Sequence, residues 1–153
     1  MAYHVRLIEK KDFKAVEELI KSFYREVHTE KSISKEIITK TIDELCSFPE
    51  KGSIYVFEMQ NVIVGYMILI YYWSMEFGGN IVFIDEIFIS PSYRNKNIGS
   101  NFLKTIIDRH IKSFIAIQLE VSPSNYKAQK FYEKNGFSYM KDKSMFCEFK
   151  DLI

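Results

Sequence analysis

The stretch VIVGYMILIYYW, Val62 to Trp73, is the most apolar in the chain. It is too short to cross a bilayer as a helix, which takes about 20 residues. Its β-branched and aromatic side chains read instead as a buried strand. Such a strand needs partners beside it and cover over its faces, so the remainder of the chain must supply both. The composition allows this. Of 153 residues 47% are hydrophobic, and thirteen Phe with ten Tyr imply a well-filled core and little room for a disordered tail. A single domain over residues 1–153 is the expectation.

Around that strand the apolar spacing alternates between helical and extended periods. YHVRLI reads as a strand. Asp12 then stands where an N-cap belongs, and Phe13, Val16, Leu19, Ile20 and Phe23 follow at helical spacing. After the polar loop EVHTEKS, Ser34 or Ser32 caps a second helix with Ile37, Ile38, Ile42 and Leu45 on one face, ending near Pro49. SIYVFEM pairs with the apolar run through Gln60-Asn61, a short hairpin whose Asn accepts a positive φ. EFGGN is a turn and IVFIDEIFI a further strand. GSNFLKTIIDRHI is a helix with Phe102, Leu103, Ile106, Ile107 and Ile111 facing inward. FIAIQLEV is a strand, NYKAQKFYEKN a helix closed by Gly136, and FSYMKD with MFCEFKDLI a final pair of strands. The order β-α-α-β-β-β-α-β-α-β-β predicts an α/β (α+β) domain, a mixed sheet covered by helices.

Several functional classes lack support. A net charge of +1, with no run of five like charges, does not provide the basic stripe that nucleic acid needs. Cys46 and Cys147 are far apart, without other ligand-type residues beside them, and read as two reduced thiols. His4, His28 and His110 are isolated, so no metal site is expected. The N-terminus MAYHVRLIEKKD has no apolar h-region; no signal peptide and no membrane partner are expected, and the expected location is cytoplasmic.

Two strand-turn-helix segments carry the chemistry. In SPSYRNKNIGSNFL, four polar residues separate the strand ending at Ile89 from a helix beginning near Gly99. A helix N-terminus leaves N–H groups unpaired and carries partial positive charge, so it suits an anion. Arg94 and Lys96 add charge, and Gly99 lets the backbone come close to a ligand. An ordinary solvated turn would fit this loop equally. In LEVSPSNYKAQKFYEKNGF the second helix presents Ala128, Phe131 and Tyr132 on adjacent turns: a small residue beside a phenol.

Together these two segments resemble the signatures of the GCN5-related N-acetyltransferase (GNAT) superfamily. The loop Arg94-Asn95-Lys96-Asn97-Ile98-Gly99 is similar to its Arg/Gln-x-x-Gly-x-Gly/Ala motif, with Asn97 in place of the first glycine. NYKAQKFYEKNGF resembles its Asn-x-x-Ala-x-x-Phe/Leu-Tyr-x-x-x-Gly-Phe segment at every marked position. Asn tolerates left-handed geometry, so the loop is expected to form. The resemblance implies a mostly antiparallel sheet of about seven strands flanked by four helices.

It also implies roles. The amide groups of Arg94, Asn95, Lys96, Asn97, Ile98, Gly99 and Ser100 would cradle the pyrophosphate of acetyl-CoA. Ile87, Phe88 and Ile89 would pair with pantetheine, Asn125 would reach its arm, and Ala128, Phe131 and Tyr132 would line it. Acetyl transfer to an amine requires a base, charge stabilisation and an acid for the departing thiolate. Tyr132 matches the family's acid. For the base, strand alternation places Asp85 and Glu86 on opposite faces, so that one of them faces the cleft. The resemblance favours Glu86, then Asp85, with Glu120 as the rival. The acceptor is expected to be a primary amine of a small molecule, polyamine- or aminoglycoside-like, or of a peptide. Alternatives are a protein N-terminal or lysine acetyltransferase and a non-catalytic coenzyme A sensor. Many members of the family dimerise, and a homodimer is compatible with the resemblance.

Overall fold

The computed structural model describes residues 3–27, 32–95, 97–141, 145, 147 and 148. Its two compact units, residues 1–120 and 121–153, are taken in turn.

The first unit is a sheet of five strands in sequence order: β1 (Tyr3–Leu7), β2 (Gly52–Met59), β3 (Val62–Ser74), β4 (Gly79–Ile89) and β5 (Ala116–Leu119). The pairs β1–β2, β2–β3 and β3–β4 are antiparallel. β4 and β5 are parallel, which requires a crossover, supplied by α3 (Ile98–His110). The apolar run is the central strand β3, buried without interruption from Val64 to Leu69. A tight turn joins it to β2. Gln60 (φ 49°) and Asn61 (φ 62°) are both left-handed, the geometry whose twist matches paired strands.

Helices cover both faces. On one, Val16 and Ile20 of α1 (Phe13–Val27) and Ile38, Ile42 and Leu45 of α2 (Lys35–Ser47) form a buried cluster with Ile54, Val56, Tyr66, Ile68 and Phe88. On the other, Phe102 of α3 packs on Phe57 with ring centroids 5.2 Å apart, and Leu103 and Ile106 are fully buried. Each such side chain contributes about 1.5–3 kcal/mol on leaving water. Ser34 caps α2, its Oγ accepting from the Ile37 N–H at 3.3 Å. No helix among the described residues is long and apolar enough to cross a membrane.

Three details depart from the expected pattern. Asp12 is not the N-cap of α1. It ends a short 3₁₀ helix (Lys10–Asp12), is 4% exposed, and binds Arg6 at 2.6 and 3.0 Å while accepting the Glu9 N–H at 2.8 Å. Arg6 in turn bridges to Glu58 at 2.7 Å, so the carboxylate serves a partly buried ion network that joins β1 to β2. Ile37 and Ile111 lie outward, the latter just past the end of α3. The described residues form five strands rather than about seven. Residues 137–141 are not in a strand, and most of MFCEFKDLI lies outside the described residues.

In the second unit, α4 (Tyr126–Lys134) begins at Asn125, whose Oδ1 accepts the Ala128 N–H at 3.1 Å. It ends as expected at Gly136 (φ 92°), beyond which the Phe137 N–H reaches back to the Tyr132 carbonyl at 3.1 Å.

Candidate active site

β4 changes character halfway along. Leu69 of β3 pairs with Ile84 and Ile68 with Glu86, so Asp85 is an extra residue, a β-bulge. Pairing with β5 stops at the same place, with Ile84 opposite Leu119 the last pair. Beyond it β4 continues to Ile89 bonded to β3 alone. The Ser90 N–H donates to the Val64 carbonyl at 2.8 Å, so by alternation the backbone groups of Phe88 turn toward β3 and those of Ile87 and Ile89 away from it. The Phe88 ring is buried among the α1–α2 cluster. Of the three residues expected along this edge, Ile87 and Ile89 present their peptide groups to it and Phe88 does not.

The edge leads into the polar loop. Asn95 (φ 66°) and Asn97 (φ 58°) are both left-handed, so the residue standing at the family's glycine position adopts the conformation a glycine would. The first bond within α3 runs from the Asn101 N–H to the Asn97 carbonyl at 2.9 Å, and Asn97 provides no side-chain cap. The amides of Ile98 and Gly99 therefore lie in the opening turn of the helix. A strand edge that β5 does not share thus leads to a helix N-terminus to which Asn97 adds no side-chain cap; an edge of this kind can hold amide groups, and a terminus of this kind an anion. Arg94 is disposed differently. Its Nε donates to the Ile89 carbonyl at 2.8 Å, its guanidinium takes Glu26 in a two-pronged pair at 2.6 and 2.8 Å, and it lies over the Phe88 ring. Its own N–H bonds the Pro91 carbonyl. Lys96 lies outside the described residues.

Carboxylates gather where β4 and β5 part. Glu86 takes the face of its partner Ile68, and so of Tyr66, whose hydroxyl donates to Oε2 at 2.8 Å. Tyr24 of α1 also hydrogen-bonds this carboxylate. Burial raises the Glu86 pKa; the two phenols work against that rise and the Asp85 charge adds to it. The Asp85 pKa is raised too, by burial and by the charge of Glu120, which follows the last paired residue of β5. Ile84 and Glu86, two residues apart, pair with the adjacent Leu69 and Ile68 and so take opposite faces, with Asp85 as the extra residue between them. A carboxylate with a raised pKa in a half-buried setting can take a proton from an ammonium, and neighbouring negative charges favour a cation.

In the second unit Ala128, Phe131 and Tyr132 are all half-buried on α4. The Tyr132 ring meets Phe131 and Phe137 edge-on at 5.2 and 5.6 Å. Burial pushes its phenol up to about 12, so it keeps its proton at neutral pH. Asn125 spends its carbonyl oxygen on the helix cap. Cys46 and Cys147 are both free.

Sequence reasoning missed Tyr66 as a partner of Glu86, Glu26 as the partner of Arg94, and the bulge. Tyr66 carried a faint signal, because a phenol inside an aliphatic strand needs a hydrogen-bond partner.

The sequence model described as the Acetyltransferase (GNAT) family matches residues 13–137. No curated protein matches the chain by sequence. Among solved structures, a possible acetyltransferase from Clostridium difficile 630 is 22% identical, with 97% of each chain covered and a TM-score of 0.81. AAC(6')-Iy, in complex with the bisubstrate analogue CoA-S-monomethyl-acetylneamine, is 15% identical over 97% of this chain and 99% of its own, at a TM-score of 0.80. Glucosamine-6-phosphate N-acetyltransferase from Arabidopsis thaliana is 19% identical over the same shares, at 0.74. At these identities the likeness is one of fold.

Proposed function

The chain belongs to the acetyltransferase (GNAT) family, and from that premise we propose that it transfers an acetyl group from acetyl-CoA directly to a primary amine of a small cationic molecule, polyamine- or aminoglycoside-like. The observation that carries this reading is the parting of β4 from β5 at Ile84 and Leu119, with an unshared edge beyond it that runs into the start of α3. The family match crosses from the first unit into the second, which supports reading residues 1–153 as one acetyltransferase domain. No metal enters the reading.

Acetyl-CoA, when bound, supplies an acyl group activated as a thioester. The chain's part is to hold and to move protons. The peptide groups of Ile87 and the N–H of Ile89, whose carbonyl Arg94 already occupies, would hold pantetheine as an added strand would be held, and the amides from Asn97 to Ser100 would meet pyrophosphate. Glu86 would take the proton of the attacking amine, with Asp85 and Glu120 supplying negative charge that draws a cationic acceptor. Tyr132, whose phenol keeps its proton to about 12, would donate to the departing sulfur; that role rests on its place in KFYEKNGF. A small-molecule amine acceptor is supported by two structural neighbours whose names specify an acetylneamine bisubstrate analogue and glucosamine 6-phosphate, and its cationic character by the three carboxylates.

The test is thiol release from acetyl-CoA against spermidine, neamine, glucosamine 6-phosphate and a lysine peptide, comparing wild type with Tyr132→Phe. Amine-dependent turnover that falls on the order of 10²–10⁴-fold in the variant, with coenzyme binding retained, is the expected result. Coenzyme binding without turnover on any amine would favour a sensor, and absence of binding would remove the coenzyme from the reading.

A further inference from the structure

We propose that Tyr66 and Tyr24 are positioning residues: a two-hydroxyl clamp that fixes the Glu86 carboxylate for proton transfer from the amine. The inference rests on the reading of Glu86 as the base and adds what makes it competent. The clamp draws on three elements. Tyr66 comes from the centre of β3, is 0% exposed, and donates to Glu86 Oε2 at 2.8 Å. Tyr24 comes from the last turns of α1 and bonds the same carboxylate. Glu86 is placed by the bulge, which pairs it with Ile68 on the face where both phenols lie.

An ionised carboxylate has about four lone-pair sites. Two taken by phenols leave the others for an ammonium, and the donors hold the plane of the group. The phenols also decide its charge. Two influences act on Glu86 besides them: burial and the neighbouring Asp85 carboxylate. Both favour the protonated, useless form. Both phenols are themselves raised by burial and by the Glu86 charge, so they remain donors throughout the working range. Their hydroxyls are the groups that favour the carboxylate. Without them the Glu86 pKa would rise further and the carboxylate would be less available as a base.

The clamp can be read without knowing the acceptor. In protein labelled with [13C]glutamate at the carboxyl carbon, the Glu86 resonance, assigned with Glu86→Gln, is titrated in wild type, Tyr66→Phe and Tyr24→Phe. Each variant is expected to move the midpoint upward by about one pH unit, the size of a hydrogen bond to a charged group. The acidic limb of kcat/KM on any amine of the panel that turns over is expected to move with it, whereas a role in packing alone would lower kcat/KM without moving the limb. Tyr66 is a core residue; should Tyr66→Phe not fold, Tyr24→Phe decides by the same readout. A Glu86 midpoint unchanged in the folded variants would overturn the clamp, even if Glu86→Gln abolishes turnover and the base assignment stands. A shifted midpoint with wild-type turnover in Glu86→Gln would overturn the proposal from the other side, by removing Glu86 as the base.

Discussion

Asp12 and Glu86 are both carboxylates shielded from water, and their surroundings give them opposite pH behaviour. The hydrogen bonds from Arg6 hold the Asp12 pKa below its ordinary value, against the cost of burial. Its contribution is therefore fully present above the unfolded pKa of about 3.9 and is lost as the pH falls through the folded value. Asp12→Asn is expected to cost about 1.5–3 kcal/mol in urea unfolding at pH 7, because Arg6 and the Glu9 N–H lose a charged partner. The difference from wild type should shrink on acidification. Glu86 is the reverse case. With its pKa raised, it binds more protons folded than unfolded, so it costs stability increasingly as the pH climbs above about 4.3. Glu86→Gln should therefore gain in Tm relative to wild type between pH 4 and pH 7. A constant offset across that range would contradict the raised pKa.

At the level of elements, the loop before α3 tests how far Asn can stand in for Gly. Asn97→Gly should bind acetyl-CoA at least as tightly as wild type. Asn97→Val places a β-branched residue at φ 58° and is expected to bind about tenfold more weakly by calorimetry, the equivalent of a strain of about 1–2 kcal/mol. The β2–β3 turn offers the opposite trial. Replacing Gln60-Asn61 with Asn-Gly should stabilise the protein by about 0.5–1 kcal/mol, since both positions are already left-handed. Elements of this kind are readable in the residues themselves, because apolar spacing reports which face is buried and turn residues report where φ is positive. The α1 and α2 stripes, the Ser34 cap, the Gly136 stop and the Gln60-Asn61 hairpin are all legible for that reason. The candidate site is legible only as two motifs. Tyr66 meets Glu86 across 20 residues of sequence, and Glu26 meets Arg94 across 68, so no local pattern contains either pair. Asp12 resembles a cap because a short acidic residue before a helix usually is one; its partner Arg6 comes from a neighbouring strand. The bulge has no compositional mark at all, and it breaks the period-2 rule between Ile84 and Glu86.

For the whole molecule the relevant quantity is cooperativity. The first unit has helices on both faces of a sheet, while a segment the length of residues 121–153 falls below the roughly 40 residues at which a chain sustains its own core. One calorimetric transition for the entire chain is the expected outcome; a separate transition for the second unit would contradict the reading of residues 1–153 as one domain. Acetyl-CoA at a hundred times its Kd should raise that transition by the equivalent of about 2.7 kcal/mol, or roughly 5–10 °C for a chain of this size. The bulge in β4 has one more consequence, for the way such a chain tolerates being shortened. Taking one residue from the middle of a strand ordinarily turns half of it inside out. Asp85 is the exception: without it Ile84 and Glu86 become consecutive, and each keeps the partner it already has. A chain lacking Asp85 is therefore expected to keep its buried faces and to fold. What it would lose is the irregularity that coincides with the point where β5 leaves β4, after Ile84. The one residue of that strand the ladder can spare stands where the ladder opens.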